Sequence, residues 1–202
     1  MTLLMLGLLA AAVTAPEVTL PRPETSGGMP VLTALAKRQS GRSFSGRPLP
    51  EQMLSNLLWA AYGVNRPATG YRTAPSARNR QEIDIYVVME KGSWRYEAKA
   101  HKLVPVADGD LRKLAGTQDF VATAPLNLVY VEDTGRSGTA PDAAIWAGVA
   151  VGAIAQNVYL FCASAGLSTV VRGSVDKSAL AKALGLGPNQ RIVLAQTVGF
   201  GK

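Results

Sequence analysis

The longest apolar stretch of the chain runs from Pro141 to Gly166 and contains Asp142 as its only charged residue. It begins with a proline, ends with a glycine and has no proline inside, which is the pattern of one long helix. Apolar and small side chains cover nearly its whole circumference, so we expect the axis of a core or half of a subunit interface. The segment is long enough to cross a bilayer, but Gln156 and Asn157 near its middle would be costly in lipid. The pattern therefore argues against a membrane span.

Two shorter helices are predicted ahead of this segment. Residues 31–38 form a short amphipathic pattern, with its apolar positions on one side: Val31, Leu32 and Leu35. Residues 51–62 follow Pro50 and repeat apolar residues at helical spacing, which predicts a helix packed on the core. The next segment, 63–81, is rich in Gly, Pro and Asn and is predicted to be irregular. A loop of this length in a compact domain is usually functional.

The remaining apolar runs are short and predict strands. Residues 83–90 and 94–101 flank a Lys-Gly-Ser turn, which indicates an antiparallel hairpin. Further strands are predicted at 125–132, 167–171 and 191–198, and short helices at 110–115 and 176–184. Because helices and strands are mixed and include a hairpin, the predicted class is α+β, arranged in three layers.

The N-terminal segment, 1–15, has an apolar run that ends in small residues and is typical of a secretory signal peptide. No Lys or Arg precedes the run, and Pro16 directly follows the expected cleavage point, so an unprocessed leader on a cytoplasmic protein is the alternative. Residues 16–29, rich in Pro and Gly, are predicted to be a linker without structure of its own. The folded domain is predicted over 30–202.

The composition limits which kinds of catalytic and metal site the chain can form. With 202 residues, 48% of them apolar, the chain can bury a substantial core. Cys162 is the only cysteine and lies in the apolar helix, so a buried inert thiol is expected. His101 is the only histidine and has no nucleophile signature near it, which argues against Ser-His-Asp or Cys-His hydrolysis. No cluster of metal-ligating residues is apparent, so no metal site is predicted.

The net charge of +7 favours an anionic partner. The basic residues of the first half are scattered rather than contiguous, and no aromatic-rich motif accompanies them, which argues against nucleic-acid binding. A local anion site is the better interpretation.

Four pieces occur in one order along the chain, and together they resemble the FMN-dependent nitroreductase family. They are Arg38-Gln39-Ser40-x-Arg42-Ser43-Phe44, Pro75-Ser76-Ala77-x-Asn79-x-Gln81, Ala124-Pro125 opening a strand, and Gly166 to Gly173. The patterns LLWAAYGVNRP and TAPSARNRQ look most like its SagB-type, azoline-dehydrogenase-like branch. The resemblance covers residues 33–200 and implies a three-layer α/β/α fold with a mixed, mostly antiparallel sheet in a homodimer.

The resemblance also implies a site for FMN. Guanidinium groups beside a hydroxyl are the chemistry that binds a phosphate dianion, and the first motif carries that role onto Arg38, Gln39, Ser40 and Arg42. The second motif is implied to reach the flavin of the partner subunit through Pro75, Ser76, Ala77 and Asn79. Main-chain N–H groups near the pyrimidine edge of the flavin fall on Val171, Arg172 and Gly173, with Gln118 as a lesser candidate. Lys202 stands where many family members carry a basic pair on the phosphate.

The implied activity is an oxidoreductase that takes a hydride from NAD(P)H and passes electrons to a nitroaromatic or quinone acceptor by a ping-pong mechanism. The cofactor carries the chemistry, so no protein acid or base is required. Two alternatives remain open. One is a SagB-type dehydrogenase that oxidises a ring such as a thiazoline with a partner cyclase, and the other is a non-catalytic flavin-binding protein.

Overall fold

The computed structural model describes residues 13–202 and contains nine strands and six α-helices in that range. The strands are β1 Val18–Thr19, β2 Val64–Arg66, β3 Tyr71–Arg72, β4 Ile83–Met89, β5 Gly92–Glu97, β6 Lys102–Asp108, β7 Leu126–Asp133, β8 Ser168–Arg172 and β9 Gln190–Gly199. The helices are α1 Val31–Lys37, α2 Glu51–Tyr62, α3 Asp119–Thr123, α4 Thr134–Ser137, α5 Ala143–Ala165 and α6 Lys177–Ala183. Two 3₁₀ turns occupy Ala77–Asn79 and Arg112–Ala115.

Seven strands form one sheet in the order β1-β6-β5-β4-β7-β9-β8, and β2 and β3 form a separate small hairpin. Each neighbouring pair of the described sheet is antiparallel. Strand β7 lies inside the sheet between β4 and β9 and is buried along seven of its eight residues, as expected of a strand covered on both faces. One face packs under α2 and α5, and the other under α3, α6 and the Arg112–Ala115 turn. The predicted α+β class and three-layer arrangement are confirmed.

Helix α5 confirms the prediction of one long central helix. It ends at Gly166, whose φ of 70° is the left-handed conformation that closes many helices. The side that faces α2 and the sheet is fully packed, for example at Val151, Ile154 and Val158. The helix is long and apolar enough to span a membrane by length and composition alone, and 44% of that window is buried inside the fold. The opposite side leaves Ile145, Trp146 and Val149 exposed.

The segment 16–29 is not the unstructured linker that its composition predicts. Val18 and Thr19 form β1 and pair with Leu103 and Lys102 of β6. Trp94 Nε1 also donates to the Pro16 carbonyl at 3.0 Å. The reason is that an exposed sheet edge offers backbone partners to any extended segment, and a proline-rich chain is already extended.

Other differences occur where local patterns are ambiguous. The predicted second strand of the hairpin ends at Glu97 rather than near His101, because residues 98–101 form a turn that leads into the unpredicted strand β6. The predicted irregular loop 63–81 contains the β2–β3 hairpin. Helix α1 forms as predicted, but it buries Ala34 and leaves Val31, Leu32 and Leu35 exposed. Its apolar side therefore faces away from the chain's own core.

Candidate functional site

The loop after α1 carries the first motif and is fixed against the end of the sheet. Gly41 N–H donates to the Thr169 carbonyl of β8 at 2.9 Å. A Cβ at Gly41 would lie 1.9 Å from Ser168 Oγ, so a larger residue here would displace the Ser168 side chain. Phe44 is buried against Ala124 and Val170 a few residues later. The first-motif loop is therefore fixed in place against β8.

Tyr159 of α5 joins this loop to the strand. Its hydroxyl accepts from Val171 N–H at 3.0 Å and lies 2.8 Å from Ser40 Oγ. The Arg38 guanidinium lies 5.3 Å from the centroid of the Tyr159 ring, within cation–π range. One buried phenol therefore positions two residues of the first motif and one residue of the predicted flavin edge. Tyr159 was not among the residues predicted for the site, although a tyrosine in the C-terminal half of an otherwise apolar helix was the available signal.

These contacts surround a cavity of about 830 Å³. Its lining combines the loop residues with the C-terminal half of α5 and the start of β8: Lys37, Arg38, Gln39, Gly41, Tyr159, Cys162, Ala163, Ser168 and Thr169, among others. Two cations and no carboxylate line it, so its charge is positive. Burial raises the pKa of the Cys162 thiol, which keeps the sulfur neutral and fits the predicted inert role.

Arg42 and Lys202 lie outside the lining of this cavity, although Gly201 contributes to it. Both side chains belong to exposed residues. Neither forms an ion pair with another residue of the range 13–202. Each cation is therefore free of a carboxylate partner within that range.

Arg172 is buried and is held through its side chain by neutral groups. Its guanidinium donates to the Ala115 carbonyl at 2.8 Å, to Asn127 Oδ1 at 3.0 Å and to Thr197 Oγ1 at 3.1 Å. Burial lowers the pKa of Arg172 to about 10. These partners lie in the sheet and in the 3₁₀ turn, and the backbone of Arg172 pairs with Ala195 of β9, so the side chain is committed to the protein's own structure. The Val171 N–H is already engaged by Tyr159.

Gln118 lies beside this strand end, because the preceding Thr117 N–H donates to the Ser174 carbonyl at 3.1 Å. Gln118 Oε1 is buried and has no hydrogen-bond partner among the described residues. A buried amide oxygen without a donor is costly, so this atom is suited to accept a hydrogen bond from a bound molecule. Gly173, the last residue assigned to the flavin edge, is exposed.

The second motif lies elsewhere. Ser76 Oγ accepts from Gln81 N–H at 2.9 Å, and Arg78, Asn79 and Gln81 have φ values of 54°, 53° and 51°. Left-handed conformations at three non-glycine residues are uncommon and cluster at functional segments. The neighbouring Arg80 guanidinium donates to the Ser137 carbonyl, just before α5.

One chain does not bring the two motifs together. The first motif contacts Tyr159 in the C-terminal half of α5, whereas the second is bonded through Arg80 to Ser137 in the segment before α5, and none of its residues lines the cavity. Pro75, Ser76, Ala77 and Asn79 therefore do not reach the cavity of their own chain. This separation is compatible with a site shared between two copies.

Comparison with known proteins identifies the class that this fold and cavity define. The profile described as "Nitroreductase family" matches residues 35–200. The chain therefore belongs to the nitroreductase family and is an oxidoreductase. A candidate nitroreductase of Methanocaldococcus jannaschii is 35% identical over 152 residues, which cover 69% of this chain and 76% of that protein.

Solved structures agree with this assignment. A candidate nitroreductase from Ralstonia eutropha JMP134 is 43% identical and superposes with a TM-score of 0.89, covering 97% of this chain and 96% of that one. A chain of the Escherichia coli microcin synthetase McbBCD complex, with truncated pro-MccB17 bound, is 19% identical with a TM-score of 0.72. It covers 91% of this chain and 77% of that one, and it shares the fold.

Proposed function

We propose that the protein is an FMN-dependent oxidoreductase that passes electrons from NAD(P)H to a nitroaromatic, quinone or similar acceptor. The observation that carries the proposal is the cavity beneath the first motif, which has a cationic lining without a carboxylate and is organised by Tyr159. When bound, FMN supplies the hydride-accepting chemistry. The protein's task is to bind the cofactor, orient the substrates against it and exclude water.

The residues present suit this cofactor. Arg38 and Lys37 line the cavity, and the exposed Arg42 lies beside it, which provides charge for a phosphate dianion. Ser40 is held by the Tyr159 hydroxyl and adds a polar group to the same loop. The unpartnered Gln118 Oε1 is an acceptor for a ring N–H at the other end of β8.

The proposal includes a homodimer. Two helices leave large apolar side chains exposed, namely Val31, Leu32, Leu35, Ile145, Trp146 and Val149. Large apolar side chains left exposed in this number usually mark an interface. The distance between the two motifs within one chain supports the same proposal, because a second copy would supply the Pro75 to Asn79 turn to the first copy's cavity.

The absorption spectrum of purified protein tests the function. We expect the spectrum of a bound flavin, bleaching on anaerobic addition of NADH or NADPH, and recovery of colour on addition of a quinone. Colourless protein that does not take up FMN would contradict the proposal. Colour that neither pyridine nucleotide bleaches would favour the non-catalytic alternative, or a dehydrogenase of the SagB type that acts on a ring substrate with a partner protein. The second-motif sequence TAPSARNRQ is the observation that keeps the SagB type as a candidate.

Export remains part of the proposal, with cleavage near Pro16. Residues 1–12 lie outside the described range, but Thr14 and Ala15 N–H groups donate to the Asp108 carboxylate at 2.8 and 2.7 Å. Cleavage after Ala15 would remove both donors and leave the Pro16 carbonyl bonded to Trp94. Mass spectrometry of protein from its native host measures the mature terminus. A cytosolic protein that retains residues 1–15 would contradict export.

A further inference from the structure

A second cavity, of about 350 Å³, lies beside the second motif and strands β4 and β5. Five of its lining residues are cationic: Arg72, Arg80, Arg95, Lys99 and Arg136. Two are carboxylates, Asp84 and Glu97. The lining therefore carries an excess of three positive charges in a small space.

The two carboxylates are already engaged. Arg136 pairs with Asp84 at 2.5 Å, and Arg95 pairs with Glu97 at 3.6 Å. The other three cations, Arg72, Arg80 and Lys99, have no carboxylate within 4.0 Å in the part of the chain that the structure describes. Like charges gathered without counter-charges repel one another, so a bound anion would stabilise the arrangement.

Two of the guanidinium groups are held in place in the absence of an anion. Arg72 Nε donates to Gln81 Oε1 at 2.8 Å, and the group lies 4.3 Å from the centroid of the Tyr62 ring. Arg136 donates to the Gln81 carbonyl at 2.6 Å. Gln81 makes both contacts from a left-handed backbone with φ of 51°. The turn therefore orients donors before binding, which reduces the entropy lost when a ligand arrives.

We propose that this second cavity binds a phosphate group, carried by a nucleotide or present as a small inorganic phosphate. Fixed guanidinium forks match phosphate oxygens in geometry, and three uncompensated cations match the charge of a phosphate or pyrophosphate. No residue of the first motif lines this cavity, so within one chain it is distinct from the candidate cofactor cavity.

Isothermal titration of inorganic pyrophosphate into the full-length, FMN-supplemented protein tests the site. Arg80→Gln is expected to raise the dissociation constant about tenfold or more, because one charge-assisted contact is lost. Lys99→Gln is the second variant, since Lys99 is exposed and makes no contact on which folding depends. Arg78→Gln is the matched control, because Arg78 belongs to the same turn but does not line the cavity.

Weaker binding in Arg80→Gln or Lys99→Gln, with unchanged binding in Arg78→Gln, supports the proposal. Equal affinities for all four proteins, or no binding by wild type, would overturn it. Arg42→Ala distinguishes this site from the candidate cofactor cavity. Loss of pyrophosphate binding in that variant would place the anion at the first motif and would also overturn the proposal. Displacement of pyrophosphate by NADPH identifies a nucleotide as the source, and displacement by orthophosphate alone identifies a small phosphate.

Discussion

Arg42 is a cation without a structural partner, which makes it the most direct probe of the proposed phosphate site. It is exposed, and no carboxylate of residues 13–202 pairs with it. A charge-assisted bond to a phosphate contributes roughly 1.5 to 3 kcal/mol, so Arg42→Ala should weaken FMN binding by about one to two powers of ten while the fold persists. Quenching of flavin fluorescence during titration of stripped protein measures the affinity.

The control for this experiment follows from the structure rather than from the sequence. Arg47 follows the first motif and is exposed, but its guanidinium lies 3.5 Å from the centroid of the Phe200 ring. An Arg47→Ala variant would therefore disturb the C-terminal end of β9. Arg22 is exposed and makes no ion pair among the described residues, so Arg22→Ala is the better control. Equal FMN affinities for wild type, Arg22→Ala and Arg42→Ala would contradict the assignment of Arg42.

His101 supplies a pH dependence of stability. Its ring contacts the hydroxyl groups of Ser55 and Tyr96 at 2.7 and 2.9 Å, and its φ is 49°. Burial lowers the pKa of His101 below its ordinary value of 6.5. The unfolded chain therefore binds a proton at higher pH than the folded chain. Stability from this group is complete above the unfolded pKa and is lost as the pH falls toward the folded pKa.

We expect the melting temperature of wild type to decrease as the pH is lowered from about 7.5 to about 5. The melting temperature of His101→Asn should change much less across that range. Asparagine tolerates the left-handed backbone at this position, so the variant keeps the turn. Because His101 is the only histidine, no other side chain of that type contributes in this window. Parallel melting curves for the two proteins would show that the imidazole does not titrate differently on folding.

Helix α5, strand β8 and the first-motif loop are joined by one hydroxyl group. Tyr159→Phe removes the acceptor of the Val171 N–H and the partner of Ser40 Oγ. We expect the free energy of unfolding to fall by about 1 to 3 kcal/mol, the usual cost of leaving a buried donor unpaired, with a loss of FMN affinity as the loop loosens. Urea denaturation measures the first quantity and flavin titration the second.

Tyr71→Phe is the matched substitution, because Tyr71 is 41% exposed and its hydroxyl has no partner in the described chain. It should leave both quantities unchanged. A Tyr159→Phe protein as stable as Tyr71→Phe would mean that water replaces the phenol at no cost and that the three elements are held by packing alone.

The association of two chains is tested on the exposed side of α5. Val149 is 52% exposed and is surrounded by Ile145 and Trp146 on the same helix. Val149→Glu places a charge at the centre of the proposed interface without touching the chain's own core. We expect light scattering to report a dimer for wild type and a monomer for the variant, with reduced FMN content, since buried unpaired charge is strongly unfavourable.

Ala100→Glu adds the same charge at the exposed turn between β5 and β6 and should leave the dimer intact. A wild-type protein that is monomeric with flavin fully bound would contradict the shared site.

Much of the architecture follows from local patterns. Pro50 and the helical spacing of the apolar residues that follow it are enough to place α2. Gly166 and the long apolar run before it are enough to place α5, because helix boundaries and apolar faces are encoded within a few residues. Strand β7 is predicted from its mostly apolar sequence for the same reason. The four motif pieces were also visible, and with them the family.

Contacts between segments that are distant in sequence could not be predicted from local patterns. The pairing of β1 with β6, the docking of Gly41 on β8 and the role of Tyr159 each join residues that are far apart in sequence, and no periodicity records such partners. The same limit applies to Arg172, whose side chain is committed to three neutral partners in the sheet and turn. The chain's own pattern thus determined its longer helices, the strands β4, β5, β7, β8 and β9, and its class. The fold alone decided which side chains face the cavity, because burial and hydrogen-bond partners depend on how the elements pack.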